Sequence, residues 1–239
     1  MLAFMDAEYN SDKDYKEKRA DQSLIEVALI ITDDKAMNVV DSYHSYVVPQ
    51  LHDGKLYKRI SKMTGIRQED VDSGISFARS IEDMYSLVKK YEVKNIFTYG
   101  DDESAFRWNR KQYGDVAYSK KFLKCLKDVS KPLQDLCNVR YSLSLNQFAD
   151  LCGTKTRVTH SASDDAETLR EVYMSVMEGK YDREKCDAFN RYAANRERYY
   201  KIRENIRVME QAGMKKDEIL EMLKEEKAFP KFIYPHALV

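Results

Sequence analysis

No excess of charge of either sign marks this chain: 40 lysines and arginines face 40 aspartates and glutamates across 239 residues. That balance excludes a uniform positive field that would pull the protein onto a polyanion, so any such ligand must be gripped locally. Cysteine is scarce. Cys125, Cys137, Cys152 and Cys186 form no CxxC pair and have no histidine partners at zinc-finger spacing, which argues against structural zinc and predicts free thiols in a reducing cytosol. No uninterrupted apolar stretch approaches membrane-spanning length. The opening segment MLAFMDAEYN breaks its short apolar run at Asp6, unlike a signal peptide. Internal repeats and low-complexity tracts are also missing. The expectation is a cytoplasmic protein with no membrane partner, whose 43% hydrophobic and 11% aromatic residues can build a sizeable core.

Three runs near the start read as strands: Leu2 to Tyr9, Ser23 to Thr32 and Val39 to Val48. The last two are rich in β-branched and aromatic residues and are bounded by turn-forming Asp33-Asp34-Lys35 and by Pro49. Short connections predict an antiparallel meander. After Pro49 the spacing becomes helical, most clearly where Phe77, Ile81, Met84, Tyr85, Leu87 and Val88 share one side. Lys94 to Tyr99 then reads as a buried strand ended by Gly100, and a helical crossover before it makes its pairing parallel. The expected fold class is therefore α/β with a mixed sheet flanked by helices. Further helices are predicted around Glu103 to Gln112, Tyr118 to Leu126, Leu143 to Leu151 and Ala162 to Met177, with a short strand near Lys127 to Val129. Beyond Gly179 the composition turns charged and tyrosine-rich, which divides the chain into a domain at 1–178 and a helical extension at 179–239.

The chemistry-bearing residues lie far apart along the chain. Alternation puts Asp6 and Glu8 on one face of the first strand, where two neighbouring carboxylates repel unless a cation sits between them. Solvation of a strand-end DxE is the plain alternative, but a buried strand seldom tolerates two unneutralised acids. Asp101 and Asp102 follow the strand KNIFTYG, and strand ends are where sheet enzymes gather polar groups; one of the pair can instead cap the next helix. His160 and Asp165 bracket the turn that enters the helix ETLREVYMSV. Hard oxygen donors of this kind suit Mg²⁺ or Mn²⁺, and several acids converging with one histidine make the constellation of a two-metal phosphodiester hydrolase.

In order and spacing these elements resemble the DEDDh group of the DnaQ-like 3′-to-5′ exonucleases, which have a ribonuclease H-like fold. The resemblance runs from MDAEYN to HSASDDAETLREVY and includes SLIEVALIITDD, YHSYVVP and ISKMTGIRQEDV. It implies that Asp6, Glu8, Asp102 and Asp165 are ligands of two ions, Mg²⁺ or Mn²⁺, and that His160 is the general base. The tyrosine subtype would want Tyr at position 161, which is Ser161. The second motif departs from the pattern. Members often carry its aspartate three residues after the glycine, at what is here Glu103, whereas the relation to the apolar helix position Phe106 favours Asp102, with Asp101 as its rival.

The same resemblance sets Thr64, Gly65 and Ile66 along a terminal nucleotide, although an ordinary helix-to-helix turn explains that stretch equally well. Ala7 and Tyr9 flank the acids as candidate substrate contacts. The implied activity is removal of nucleoside monophosphates from the 3′ end of single-stranded nucleic acid, RNA or DNA. Two rivals remain: a hydrolase of short or cyclic oligonucleotides, and a non-catalytic nucleic-acid-binding module. In the extension, arginines and lysines interleave with Tyr192, Tyr199 and Tyr200. That pattern fits a nucleic-acid platform, a solvated helix packing its tyrosines, or a homodimer contact.

Overall fold

The strand Ser23–Thr32 is buried along its whole length, as its near-continuous SLIEVALIIT run requires of a strand covered on both faces. It is β2 of a five-stranded sheet in the computed structural model, which describes residues 1–11, 22–34, 38–50, 52–114, 116–215 and 218. The other strands are β1 (Leu2–Asn10), β3 (Val39–Tyr46), β4 (Ile96–Thr98) and β5 (Leu126–Asp128), in the order β3-β2-β1-β4-β5. The meander β1-β2-β3 is antiparallel, and β4 runs parallel to both β1 and β5. This is the mixed sheet that the sequence predicts, in the ribonuclease H-like form that the family resemblance implies. The third strand is shorter than expected: it ends at Tyr46, and Val47 makes a separate bridge to Ile75.

The helices are α1 (Lys58–Thr64), α2 (Gln68–Asp72), α3 (Phe77–Lys90), α4 (Asp102–Tyr113), α5 (Ser119–Cys125), α6 (Ser130–Leu136), α7 (Leu145–Cys152), α8 (Ala162–Met177) and α9 (Arg183–Gln211). Alternation along β1 sorts its side chains between two layers. Ala3, Met5 and Ala7 join Leu24, Val27, Leu29 and Ile31 in a core with Phe77, Ile81, Met84, Phe106 and Phe122 of α3, α4 and α5. On the other face Phe4 meets Phe97 and the edge of Tyr173. There the small residues Ala162 and Ala166 let α8 settle close against Ala28 and Ile30. The acids of β1 share this second face, under the helix that carries Asp165.

Between the Glu8–Glu26 and Tyr9–Leu24 pairs the register shifts, leaving Ile25 as an extra residue in β2. Such bulges bend a strand and re-aim its side chains. Ile25 turns into a small cluster with Ile60, Ile66 and Val71, which fastens α1 and α2 beside the end of β1.

By contacts the chain forms two units, Met1–Leu133 with Leu143–Tyr181, and Gln134–Ser142 with the described residues from Asp182 onward. In the second unit the Asn190 amide of α9 donates to Asn138 O and accepts from Arg140 N. Tyr141 stacks on Phe189 and meets Tyr192 edge-on. Burial pushes the Cys137 thiol up to about 12 and the Cys186 thiol up to about 11, so both act as small apolar residues rather than nucleophiles. Of the helical extension expected at 179–239, the part beyond residue 215 lies almost wholly outside the described residues. No helix among the described residues is long and apolar enough to cross a membrane.

Gly74 shows how tightly the loop after α2 fits. A Cβ there would stand 2.7 Å from Tyr46 O, a backbone atom that has no rotamer to yield. Gly74→Ala is expected to cost about 1–3 kcal/mol, read as a lower urea midpoint with an unchanged m-value.

Candidate active site

Four carboxylates converge at the end of the sheet where β1 lies between an antiparallel and a parallel neighbour. Asp6 and Glu8 come from β1. Because Phe4 pairs with Phe97 in the parallel ladder, the chain leaving β4 through Gly100 arrives level with them. Gly100 takes a φ of 106°, and its N–H is held at 3.0 Å by the Asp128 carboxylate, which also accepts from Ser130 N. This turn delivers Asp102 as the first residue of α4. Asp102 is buried, and the Tyr9 hydroxyl donates to its Oδ1 at 3.3 Å. Asp101 occupies the cap position and stays exposed, while the exposed Glu103 pairs with Arg107.

The fourth carboxylate comes down from α8. Asp165, 5% exposed, accepts a hydrogen bond from Thr159 N at 2.9 Å. The loop before it is held by Glu171, whose Oε2 accepts from Lys155 N and from the Thr156 N–H and hydroxyl. His160 sits in this loop with a left-handed φ of 61°, a conformation uncommon outside glycine that recurs where function over-determines the backbone. It holds the half-exposed imidazole with Nδ1 4.0 Å from Glu8 Oε1. Ligand atoms of Glu8, His160 and Asp165 all lie within 4.8 Å of one another.

Packing these acids together resists their ionisation. Burial pushes Glu8 up to about 8, helped by the fields of Asp165, Glu26 and Asp102. Asp102 rises to about 7, again through burial, with the Tyr9 hydroxyl opposing and Asp128 and Asp101 adding to the rise. Asp6 is held well above the usual carboxylate range by burial and then by Asp102, Asp165, Glu8 and Glu26. Asp165 is raised by burial, against the pull of the Thr159 N–H and His160. A divalent cation reverses each of these effects, and the all-oxygen donor set with one imidazole at its rim fits a hard ion such as Mg²⁺ or Mn²⁺.

Beside the acids opens a cavity of about 450 Å³ lined by Asp6, Ala7, Tyr9, Gln22, Tyr99, Asp101, Asp102, Ser104, Ala105 and Trp108. That size and mixture of apolar and polar lining suit a small organic ligand. The RNase T exonuclease family model matches residues 3–173, well over half of the chain. The chain belongs to the DEDDh, DnaQ-like exonuclease family.

Among solved structures this DEDDh exonuclease is similar to a full-length 3′-exonuclease, at 17% identity and a TM-score of 0.65 over 75% of this chain and 61% of that one. It is similar also to the nuclease domain of 3′hExo, a DEDDh family member, bound to rAMP (16% identity, TM-score 0.64, 76% and 93% covered). A third likeness is to E. coli exonuclease I in complex with a dA16 oligonucleotide (15% identity, TM-score 0.55, 83% and 44% covered). The chain thus spans about three fifths of the first structure's length. At these identities the likeness carries the fold. A search of curated proteins found no match.

The residues singled out in the sequence of this DEDDh exonuclease meet different fates. Asp6, Glu8, Asp102, Asp165 and His160 gather at one place, and Ala7 and Tyr9 line the adjoining cavity, although the Tyr9 hydroxyl is engaged by Asp102. The stretch at 64–66 is a helix-to-helix turn: the Thr64 hydroxyl bonds Ile60 O and Ile66 N, and Gly65 caps α1 with a φ of 77°. Ile66, 3% exposed, packs with Ile25, Ile60 and Val71, so its side chain belongs to the core rather than to a ligand. Sequence reasoning missed Trp108, although Asp101, Ala105 and Trp108 fall at helical spacing on one face. It also missed Glu26, the lone acid in an otherwise apolar strand.

The raised carboxylates fix a pH dependence. An acid whose pKa is higher in the folded state binds more protons folded than unfolded, so its contribution is present below the unfolded value and is lost as pH climbs through the folded one. For Glu8 that window runs from 4.5 to about 8. The melting temperature in EDTA is therefore expected to fall between pH 5 and pH 8.5, and Glu8→Gln should flatten the fall. Adding Mn²⁺ at pH 8.5 should restore it by mass action.

Proposed function

We propose that this exonuclease is a metal-dependent 3′-to-5′ enzyme that removes nucleoside monophosphates from single-stranded RNA or DNA. The reading is carried by one observation: Asp6, Glu8, Asp102 and Asp165 meet under α8 with fields that oppose one another's ionisation. Buried carboxylates in this number either hold on to their protons or need a compensating cation, and a divalent ion is what lets them ionise together near neutrality. Asp6, Glu8, Asp102 and Asp165 would hold two Mg²⁺ or Mn²⁺ ions, which when bound supply a low-pKa water and charge stabilisation for the departing oxygen.

The chain's own groups do the rest. His160, half-exposed with Nδ1 4.0 Å from Glu8 Oε1, takes the proton of the attacking water and passes it to solvent at the rim of the site. Tyr9 fixes Asp102 by its hydroxyl. The cavity at Ala7, Tyr99, Ala105 and Trp108 offers aromatic surface on which a base can stack, a contact every nucleobase can make. The left-handed backbone at His160 keeps the imidazole at the rim, open to solvent and to a strand end. The four free thiols agree with work in a reducing, cytoplasmic setting.

Matched oligonucleotides labelled at the 3′ or the 5′ end, single- and double-stranded, RNA and DNA, test this with Mg²⁺ or Mn²⁺. Immediate release of the 3′ label as a mononucleotide, with a shortening ladder from the 5′ label, is the expected result; release of internal fragments would overturn it. Asp6→Asn and Asp165→Asn should abolish hydrolysis while leaving the far-ultraviolet circular dichroism unchanged.

His160→Ala is expected to lower kcat by about 10²- to 10⁴-fold with Mn²⁺ affinity nearly unchanged, measured by isothermal titration. Collapse of Mn²⁺ affinity together with the rate would instead make His160 a metal ligand.

A further inference from the structure

Glu26 is a fifth acid at the site. It sits in β2 directly across from Glu8 in the antiparallel ladder, so both side chains emerge on the same face, and its residue is 2% exposed. An acid in that position adds to the repulsion within the cluster, since its field raises both Asp6 and Glu8. Its surroundings supply compensating contacts. Both of its oxygens are engaged: Oε1 lies 2.7 Å from His44 Nε2, and Oε2 accepts the Ala162 N–H at 3.0 Å.

The second bond is the informative one. Ala162 is the first residue of α8, with Ser161 at the cap position making no side-chain cap bond of its own. The first N–H groups of a helix lack intrahelical partners, and a carboxylate at that end is also favoured by the helix dipole. Glu26 therefore caps α8 from another element of the fold, at a point two residues after His160 and three before Asp165. On the far side His44, carried on β3 opposite Ala28 and set edge-on to Tyr46 at 5.1 Å, fixes the carboxylate's orientation. The chain of contacts runs from β3 through β2 to the start of α8, spanning the strands beside the acids.

We propose that Glu26 is a positioning residue: it locks the N-terminus of α8, and through it His160 and Asp165, in register with Asp6 and Glu8. This rests on the proposed two-metal hydrolysis at the same site. Glu26 itself neither binds an ion nor touches substrate.

Removing the clamp from either side should give the same defect. Glu26→Ala deletes the acceptor. Ala162→Pro deletes the donor at a helix position where proline is tolerated, after a residue already in the extended conformation proline requires (Ser161 φ −110°, ψ 127°); Ala162→Val, which adds bulk against Ala28 and Ile30 but keeps the N–H, controls for the ring's volume and should stay faster than Ala162→Pro. Glu26→Ala and Ala162→Pro are each expected to lower kcat and Mn²⁺ affinity by about 10- to 100-fold with KM for a single-stranded oligonucleotide nearly constant, and the double variant should be no worse than the weaker single, as for two ends of one bond. Glu26→Gln, which can still accept from Ala162 N and donate to His44, should restore most of the rate.

A core truncation on the other face of the sheet, Ile81→Ala, controls for stability: it should lower the melting temperature while kcat at 20 °C stays near the parent's. The inference is overturned if Glu26→Ala behaves like Ile81→Ala, if Glu26→Gln is as slow as Glu26→Ala, or if the two single losses multiply. Should Glu26→Ala fail to fold, Ala162→Pro and Glu26→Gln decide by the same readouts. A parent that hydrolyses no oligonucleotide would sink the proposed function. The clamp would then be judged on Mn²⁺ affinity alone, and a parent that binds no Mn²⁺ would overturn both.

Discussion

Mutual repulsion among buried carboxylates is the constraint on which the rest of this structure depends. Glu8, Asp102, Asp165 and Glu26 all bear on Asp6, and Asp102, Asp165 and Glu26 bear on Glu8 as well; nothing in the hydrophobic effect brings them together. They are carried there by apolar surfaces elsewhere. Phe4 against Phe97 and Tyr173, and Ala162 and Ala166 against Ala28 and Ile30, seat α8 over β1. On the opposite face the Phe106 and Phe122 cluster fixes α4 and α5. The protein maintains an electrostatically unfavourable site with two favourable cores, and a divalent cation is the natural means of relieving what remains.

Each acid is held by a different local device. Alternation alone aims Asp6 and Glu8. A left-handed glycine and the Asp128 carboxylate shape the turn that presents Asp102. A backbone N–H six residues earlier in the loop, at Thr159, steadies Asp165, and the Glu171 carboxylate ties down the loop in which His160 adopts its left-handed backbone. Glu26 links the strands to the start of α8. None of these devices is shared, so the acid cluster is held from several elements at once.

The second unit follows another logic. α9 is charged along most of its described length, and its order comes from a few contacts with the short segment 134–142: the Asn190 bridge to Asn138 and Arg140, and the Tyr141–Phe189 stack. The tyrosines that in sequence suggest a nucleic-acid platform are thus divided. Tyr192 packs against Tyr141, while Tyr200 is exposed beside Arg196.

Much of the fold was legible before any coordinates. The second strand and α8 begin and end where the sequence puts them, because an unbroken β-branched run and a long amphipathic stretch each have one physical solution. The acids, the histidine and their order were legible too, since DxE alternation is a local rule. Spacing relative to Phe106 favours Asp102 over Asp101 and Glu103. That Asp102 is the buried one of the three turns on the geometry of the Gly100 turn and on the Tyr9 hydroxyl, neither of which a one-dimensional pattern contains. The burial of Ile66 came from the bulge at Ile25, a feature of strand pairing. Glu26 in sequence is only an acid in an apolar strand; that its oxygens meet His44 and the first N–H of a helix 136 residues away is decided by the pairing of β1, β2 and β3 and by how closely α8 packs. The sequence determined which groups are present and which face of each element they occupy, because those follow from local periodicity. Only the tertiary structure decided which groups meet, because that depends on strand register and helix seating, which are set by contacts distant in the chain.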